Sequence, residues 1–368
     1  MKSSITRAEF LRLFGATLFA AGTSSLSGCG SRTNDTNRLK IAFLTNGPIN
    51  DFGYNSAHER ARLDVQNALD DRVETQMVEN VPETADASRV MERLVQAGNR
   101  LIIPTSFGYQ DAAFDLAGRS PNVQFLQAWG FKQHPNMGSY SAKMYEAWYV
   151  CGVVAGLVSQ SGKLGIVAAH PIPPMRWQIN AFVLGARSVN PAITAQVIFI
   201  NHWFDATLAS EATTTLIQQG ADVVTGVLDS SRAVAQTAEA RGAYLIGHNA
   251  DLSQFAPNRI LTGTEWLWGK LYTEVVRAVL NGTNLNGKHY SGGLREGYVG
   301  YREFSSRVPQ AARAAATEAA NRIRSGALAV YAGPISDNAG RVRVPAGTTL
   351  THDQIMGIDW AVQGVSGQ

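Results

Sequence analysis

The feature that most constrains this chain is an alternation that runs through it twice. Apolar runs of strand length each lead into a polar turn and then into a helix-like stretch of about ten to fifteen residues, the pattern of parallel sheets covered by helices. The first unit shows it plainly. Ile41-Ala42-Phe43-Leu44 runs into Asn46-Gly47-Pro48, which predicts a buried strand and a turn. Ser56-Ala57-His58-Glu59 then has capping-box spacing, with Ala61, Val65, Ala68 and Leu69 as the buried face of a helix. Further strands are predicted over 73–78, 100–105 and 123–127, with a weaker one over 136–140 and a helix over 87–97. After Ser159-Gln160-Ser161-Gly162-Lys163 the alternation restarts, with strands over 164–169, 195–200, 222–228 and 244–247. Helices over 179–189, 208–219 and 233–240 separate them. Beyond Asp251 the order is less regular: a helix over 267–280, a link at Ser291-Gly292-Gly293, a strand over 297–301, a helix over 309–325 and a terminal hairpin about Asp337-Asn338-Ala339-Gly340. The expectation is an α/β chain of two doubly wound parallel-sheet lobes. The first lobe takes residues 38–161 plus about 264–290, and the second takes 162–263 plus about 291–368.

The N-terminus constrains the compartment. Lys2, Arg7 and Arg12 precede an apolar core over 13–21, too short to cross a bilayer, and Leu26-Ser27-Gly28-Cys29 follows. This resembles a bacterial lipoprotein signal over 1–28, with Cys29 lipidated and residues 29–37 as a polar tether. The expected location is the extracytoplasmic face of the cell membrane, lipid-anchored. The leader holds Lys2, Arg7, Arg12 and Glu9, so without it the 32 basic and 29 acidic residues fall to 29 and 28. Nothing in that balance suggests a nucleic-acid surface. Cys151, the second cysteine, lies in the apolar run Ala147 to Ala155 and reads as a buried structural thiol.

Signatures of catalysis are missing. The seven histidines show no zinc-ligand spacing, and there is no G-x-S-x-G turn. Gly282 to Lys288 copies part of a phosphate loop, but His289 stands where a Ser or Thr must hold magnesium, so it reads as a surface turn. No cofactor, metal site or enzymatic activity is expected. The positive signal is a set of loops at predicted strand ends, each combining aromatic and polar side chains: Asn50-Asp51-Phe52-Gly53-Tyr54-Asn55, Ser106-Phe107-Gly108-Tyr109-Gln110, Arg176-Trp177-Gln178-Ile179-Asn180 and Asn201-His202-Trp203-Phe204-Asp205. Asp229-Ser230, Asn249-Ala250-Asp251 and Glu265-Trp266 continue it. In open parallel sheets ligands bind outside the carboxyl ends of the strands, where these loops lie. Aromatic faces stack on flat rings, while carboxylates and amides read N–H and hydroxyl edges. The set suits a flat, uncharged heterocycle better than a phosphate, which calls for arginines or glycine-rich nests.

At these residues the chain resembles the basic membrane protein (Bmp) family, substrate-binding lipoproteins of ABC importers that include purine nucleoside receptors. Besides the loops above, the resemblance rests on Glu79-Asn80-Val81-Pro82-Glu83, His170-Pro171-Ile172-Pro173, Ile179-Asn180-Ala181-Phe182, Val189-Asn190-Pro191 and Val330-Tyr331-Ala332-Gly333-Pro334-Ile335. It implies a type I periplasmic-binding fold with a multi-strand hinge, capture of a purine-like ligand between the lobes of a monomer, and delivery to an ABC permease and ATPase. By the same resemblance Tyr54 and Trp203 would stack on the ligand. Asp51, Asn180 and Asp229 would be polar contacts, and Phe107-Gly108 a backbone and aromatic contact. Pro174-Met175 and Glu265-Trp266 depart from the adenine-associated branch, which tends to carry an acidic residue and Asp/Asn-Trp there. A ligand sensor for a signalling partner would share the fold and pocket, and a nucleoside-processing enzyme would need catalytic groups the loops lack.

Overall fold

The computed structural model describes residues 38–367, so the leader, Cys29 and the tether lie outside the described residues. The first half of the chain runs β1 (Leu39–Leu44), α1 (Tyr54–Leu69), β2 (Val73–Val78), α2 (Ala85–Gln96), β3 (Leu101–Pro104), α3 (Gln110–Arg119), β4 (Gln124–Ala128) and β5 (Met137–Ala142). Then come α4 (Met144–Val158), β6 (Lys163–Ala168), α5 (Pro173–Val189), β7 (Thr194–Phe199), α6 (Ala206–Gln218), β8 (Val223–Val227), α7 (Ser231–Arg241) and β9 (Tyr244–Gly247). The last part is β10 (Ile260–Trp266), α8 (Trp268–Leu280), β11 (His289–Gly292), β12 (Val299–Tyr301), α9 (Gln310–Ser325), the hairpin β13 (Ile335–Ser336) and β14 (Val342–Val344), α10 (His352–Met356) and β15 (Val365–Ser366).

Two sheets result. The first has the order β11-β5-β4-β3-β1-β2 and the second β12-β10-β9-β8-β6-β7-β15. All neighbours are parallel except β10 and β12. The central strands are apolar on both faces because helices cover both faces; Ile41 to Leu44 of β1 are fully buried. β10 was not anticipated from the sequence, since Thr262, Gly263, Thr264 and Glu265 dilute its apolar character. It carries the chain out of the second sheet. Immediately after it, α8 packs on α1, and β11 joins the first sheet beside β5. β12 then returns to pair with β10.

Helix α4 departs from the grouping expected of it. It follows β5 directly, yet it packs on α5, α9 and the edge of the second sheet rather than on the first. Its sequence is apolar on every side, and residues from Met144 to Gly156 are almost all buried. The close approach depends on glycine. A methyl at Gly152 would enter the Phe182 carbonyl, one at Gly156 the Ala186 carbonyl, and one at Gly185 the Tyr149 carbonyl. The α4–α5 interface is thus backbone against backbone, and Trp148 Nε1 donates to Gln178 Oε1 across it at 2.8 Å. Cys151 is buried in the same helix, and burial pushes its thiol well up, as befits a structural cysteine.

Candidate functional site

The loop after β1 is built around Asp51. Its Oδ1 accepts from Gly53 N (2.8 Å) and Ser56 N (3.0 Å), and its Oδ2 from Asn55 N (2.9 Å). These are amides at the entrance of α1, which starts at Tyr54 rather than at the capping-box position. Ser56 therefore lies inside the helix, with its hydroxyl on Gly53 O, and Glu59 pairs with Arg62 instead of capping. Of the expected buried face, Ala68 is exposed, and Ala57 and His58 are buried in addition. Phe52 holds a left-handed backbone at φ 51°, a costly conformation for a bulky residue that this carboxylate-centred turn supports.

Tyr54 stands behind this loop with its phenol fully used. It donates to Thr105 O at 2.7 Å and accepts from Trp129 Nε1 at 3.0 Å. Trp129, at φ 55° just beyond β4, was not singled out from the sequence. The usable signal was an aromatic followed by Gly130 at a strand end, the same pattern as the other loops. Trp129 meets Trp266 edge-on at 5.8 Å, Tyr54 meets Trp266 edge-on at 6.1 Å, and Trp266 stacks on Trp268 at 5.0 Å with the rings 9° apart. Trp268 in turn stacks on His58, whose Nδ1 lies 2.6 Å from the Tyr272 hydroxyl. Burial, and then Arg60, depress this imidazole to about 3, so it stays neutral. An aromatic block thus joins α1, the end of β4 and the β10–α8 crossing.

Asp229, at the end of β8, approaches the Asp51 loop from the second sheet. A side chain at Gly53 would stand 3.3 Å from Asp51 Oδ2 and 3.5 Å from Asp229 Oδ1, so the two carboxylates flank one glycine. The Asp229 amide donates to Trp203 O at 3.0 Å, which ties Trp203 to the same place. Among the described residues no hydrogen bond or ion pair reaches the Asp229 carboxyl. Burial, and then the charge of Asp51, push it up to about 7. Trp203 is 46% exposed, with its ring edge-on to His170 at 5.0 Å, and Phe204 is 66% exposed.

Beside this junction lies a cavity of about 360 Å³, lined from the first half by Asn50, Phe52, Ser56 and Arg60 and from the second by Ala250 and Asp251. Phe52 reaches Phe255 edge-on at 5.0 Å, and Arg60 donates to Asn249 O at 3.0 Å, so both halves contribute to its walls. Asn249 accepts Trp266 Nε1 on its side chain at 2.7 Å. Arg302 bridges Asp251 (2.8 Å) and Glu265 (3.0 Å). Glu265 is consequently an ion-pair partner at the end of β10 rather than a free acceptor on a loop. Arg60 and Arg302 were not anticipated, since a lone arginine within a helix or after a short strand carries no local signal.

Three expected site residues are not brought to this junction. α5 begins at Pro173, because proline is well tolerated in a first helical turn, so Arg176 to Asn180 form helix instead of loop. Trp177 is buried there, edge-on to Tyr145. Asn180 is fully buried and its amide is taken up by Trp360 O (3.0 Å) and Val362 N (3.0 Å). Tyr109 is also fully buried, donating to Val81 O at 2.6 Å. Phe107 does emerge at the rim, 55% exposed, 6.2 Å from the exposed Phe131. A Cβ at Gly108 would push against the exposed Glu83 side chain, which accepts from Ser106 and Asn46. Among the described residues no group of three or more His, Cys, Asp or Glu could hold a metal ion.

Comparison with known proteins places this geometry in context. Residues 38–331 match the family described as ABC transporter substrate-binding protein PnrA-like. A purine-binding protein of Brucella abortus is 38% identical over 336 residues, 91% of this chain and 95% of that protein. A Haloferax volcanii protein named as an ABC transporter glucose-binding protein is 32% identical, over 90% and 92% of the two chains. The solved structure of an ABC transporter solute-binding protein from Conexibacter woesei superposes with a TM-score of 0.69 at 18% identity, covering 79% of this chain and 97% of that one. The last similarity shows the fold alone, which is the type I periplasmic-binding fold.

Proposed function

Because the chain belongs to the PnrA-like (Bmp) family of ABC transporter substrate-binding proteins, we propose that it captures a purine base, nucleoside or related planar heterocycle between its halves and delivers it to an ABC permease and ATPase from a lipid anchor at Cys29. The observation that carries the ligand class is the junction at Gly53. There an unpartnered carboxyl, Asp229, meets the Asp51 loop, and its amide is bonded to the backbone carbonyl of Trp203, whose indole is half exposed. An indole face favours flat rings, with about 0.5–1.5 kcal/mol per aromatic contact beyond area burial. Acidic groups on both sides disfavour phosphates, so bases and nucleosides should bind and nucleotides should not. The cavity beside the junction, which Phe52 and Asp251 line, has a volume that suits a ligand of this size. Asp51, Asp229, Trp203, Phe52 and Asp251 form the contact set in this reading, with Phe107 and Phe204 at the rim. Tyr54 and Trp266 support the wall. In this reading the activity is binding rather than turnover, which the family's description as substrate-binding proteins supports.

A thermal-shift panel tests the ligand class, since a compound at 100-fold its Kd stabilises by about 2.7 kcal/mol. Purines or their nucleosides should raise the melting temperature. Glucose, which the Haloferax relative's name makes the pertinent rival, should not. A shift from sugars alone would reject the purine reading and leave the solute-binding role intact. The anchor is checked separately by mass spectrometry of protein from membranes, where a mature N-terminus other than acylated Cys29 would refute it.

A further inference from the structure

The junction at Gly53 holds an imbalance of hydrogen-bonding groups. Asp51 is supplied with three backbone N–H donors and lies in the field of Arg60. Asp229 has neither a donor nor a cation among the described residues. Asn55 Oδ1, two residues from Gly53, is a buried acceptor that is also without a partner. The site therefore presents more acceptors than donors, and it does so where the two halves of the chain meet.

We propose that Asp229 is the residue that selects the ligand's edge: it takes an N–H-presenting face of a neutral heterocycle, and it releases one proton to solvent as it does so. This rests on the purine reading above and specifies the hydrogen-bonding pattern within it. The alternative, a protonated Asp229 donating to a ring nitrogen, would set that nitrogen's lone pair beside the acceptor oxygens of Asp51 on the other side of Gly53. A donor edge relieves both carboxyls together. In the free protein burial and Asp51 keep a proton on Asp229 up to about neutral pH, so an N–H donor arriving there favours the ionised form and displaces that proton.

The other charged or titratable groups around Asp229 do not substitute for it. Tyr54 has its hydroxyl bound on both sides. Arg232, on the first turn of α7, lies over the Phe255 ring at 4.9 Å. Asp205 caps α6 through Leu208 N at 2.9 Å. His170 lies against Trp203. Asp229 is left as the group whose charge state changes when a ligand bridges the halves.

The test is calorimetric titration of the full-length protein with adenine and with inosine between pH 5.5 and 8.5, in buffers of different ionisation enthalpy. For at least one of the two, Kd should tighten by up to tenfold per pH unit below about 7 and level off above it, with up to one proton released per ligand. Asp229→Asn should bind more weakly, with a flat profile and no proton release. The wild-type proton count stands even if the variant folds poorly. Binding with no proton release, with uptake instead, or with a pH profile that Asp229→Asn leaves unchanged would overturn the proposal alone. No binding of either compound at any pH would remove the purine reading and the proposal with it.

Discussion

The two sides of the Gly53 junction are built differently. On the first side nearly every polar group has an intramolecular partner: Asp51 holds three amides, the Tyr54 phenol is bound twice, and the Trp129 indole is bound once. On the second side Trp203 and Phe204 project into solvent, and the Asp229 carboxyl has no partner among the described residues. The first side is thus preorganised by the chain itself, whereas the second is completed by whatever it binds. Substitutions on the first side should damage the fold and binding together. Those on the second should change binding while leaving stability intact or improved.

The largest effect is expected from Asp51→Ala. It removes the acceptor for three N–H groups at a helix entrance and the support for the left-handed Phe52. Leaving such donors unsatisfied costs about 2–3 kcal/mol, so chemical denaturation should show a lower midpoint and calorimetry a lost ligand response. A variant as stable as wild type that fails only in binding would show Asp51 to be a ligand contact first and a structural centre second. Trp203→Ala comes next. Loss of a stacking face and its buried area should weaken binding by about 2 kcal/mol, roughly 30-fold in Kd. The apo melting temperature should not move, because the ring is half exposed. A matching drop in apo stability would contradict the contrast between the two sides.

Legibility in the sequence followed the same divide between local and remote causes. The strands of both sheets and most helices were readable, because an apolar run closed by a turn is a local signal. So was the succession of aromatic–polar loops. The role of Asp51 was not. Its spacing to Gly53, Asn55 and Ser56 is local, but Ser56-x-x-Glu59 imitates a cap and points to a helix start too late. α5 shows the converse: Arg176 to Asn180 read as a loop ahead of a helix over 179–189, yet proline at a helix start carries the helix back over Trp177 and turns Asn180 inward. The placement of α4 and the Arg302 bridge depend on contacts between distant segments, for which one sequence holds no signal. Gly152, Gly156 and Gly185 show this best. Their composition is visible, but only the packed structure reveals that they let two helix backbones touch.

The smallest and most discriminating effect is expected from Asp229→Asn in the absence of ligand. The folded carboxyl titrates near 7, whereas an unfolded one titrates near 3.9. Between those values the folded protein binds more protons than the unfolded one, so stability falls as pH rises through this window and is constant above it. Asparagine keeps the shape and cannot ionise. The variant should therefore melt with wild type at about pH 4 and progressively above it as pH rises to 7, where the gap should level off. Because Asp229 retains some contact with solvent, screening should hold that gap to about 1 kcal/mol. If instead the variant is less stable at pH 8, the carboxylate must have a partner that stabilises its charge. The second side would then be as preorganised as the first.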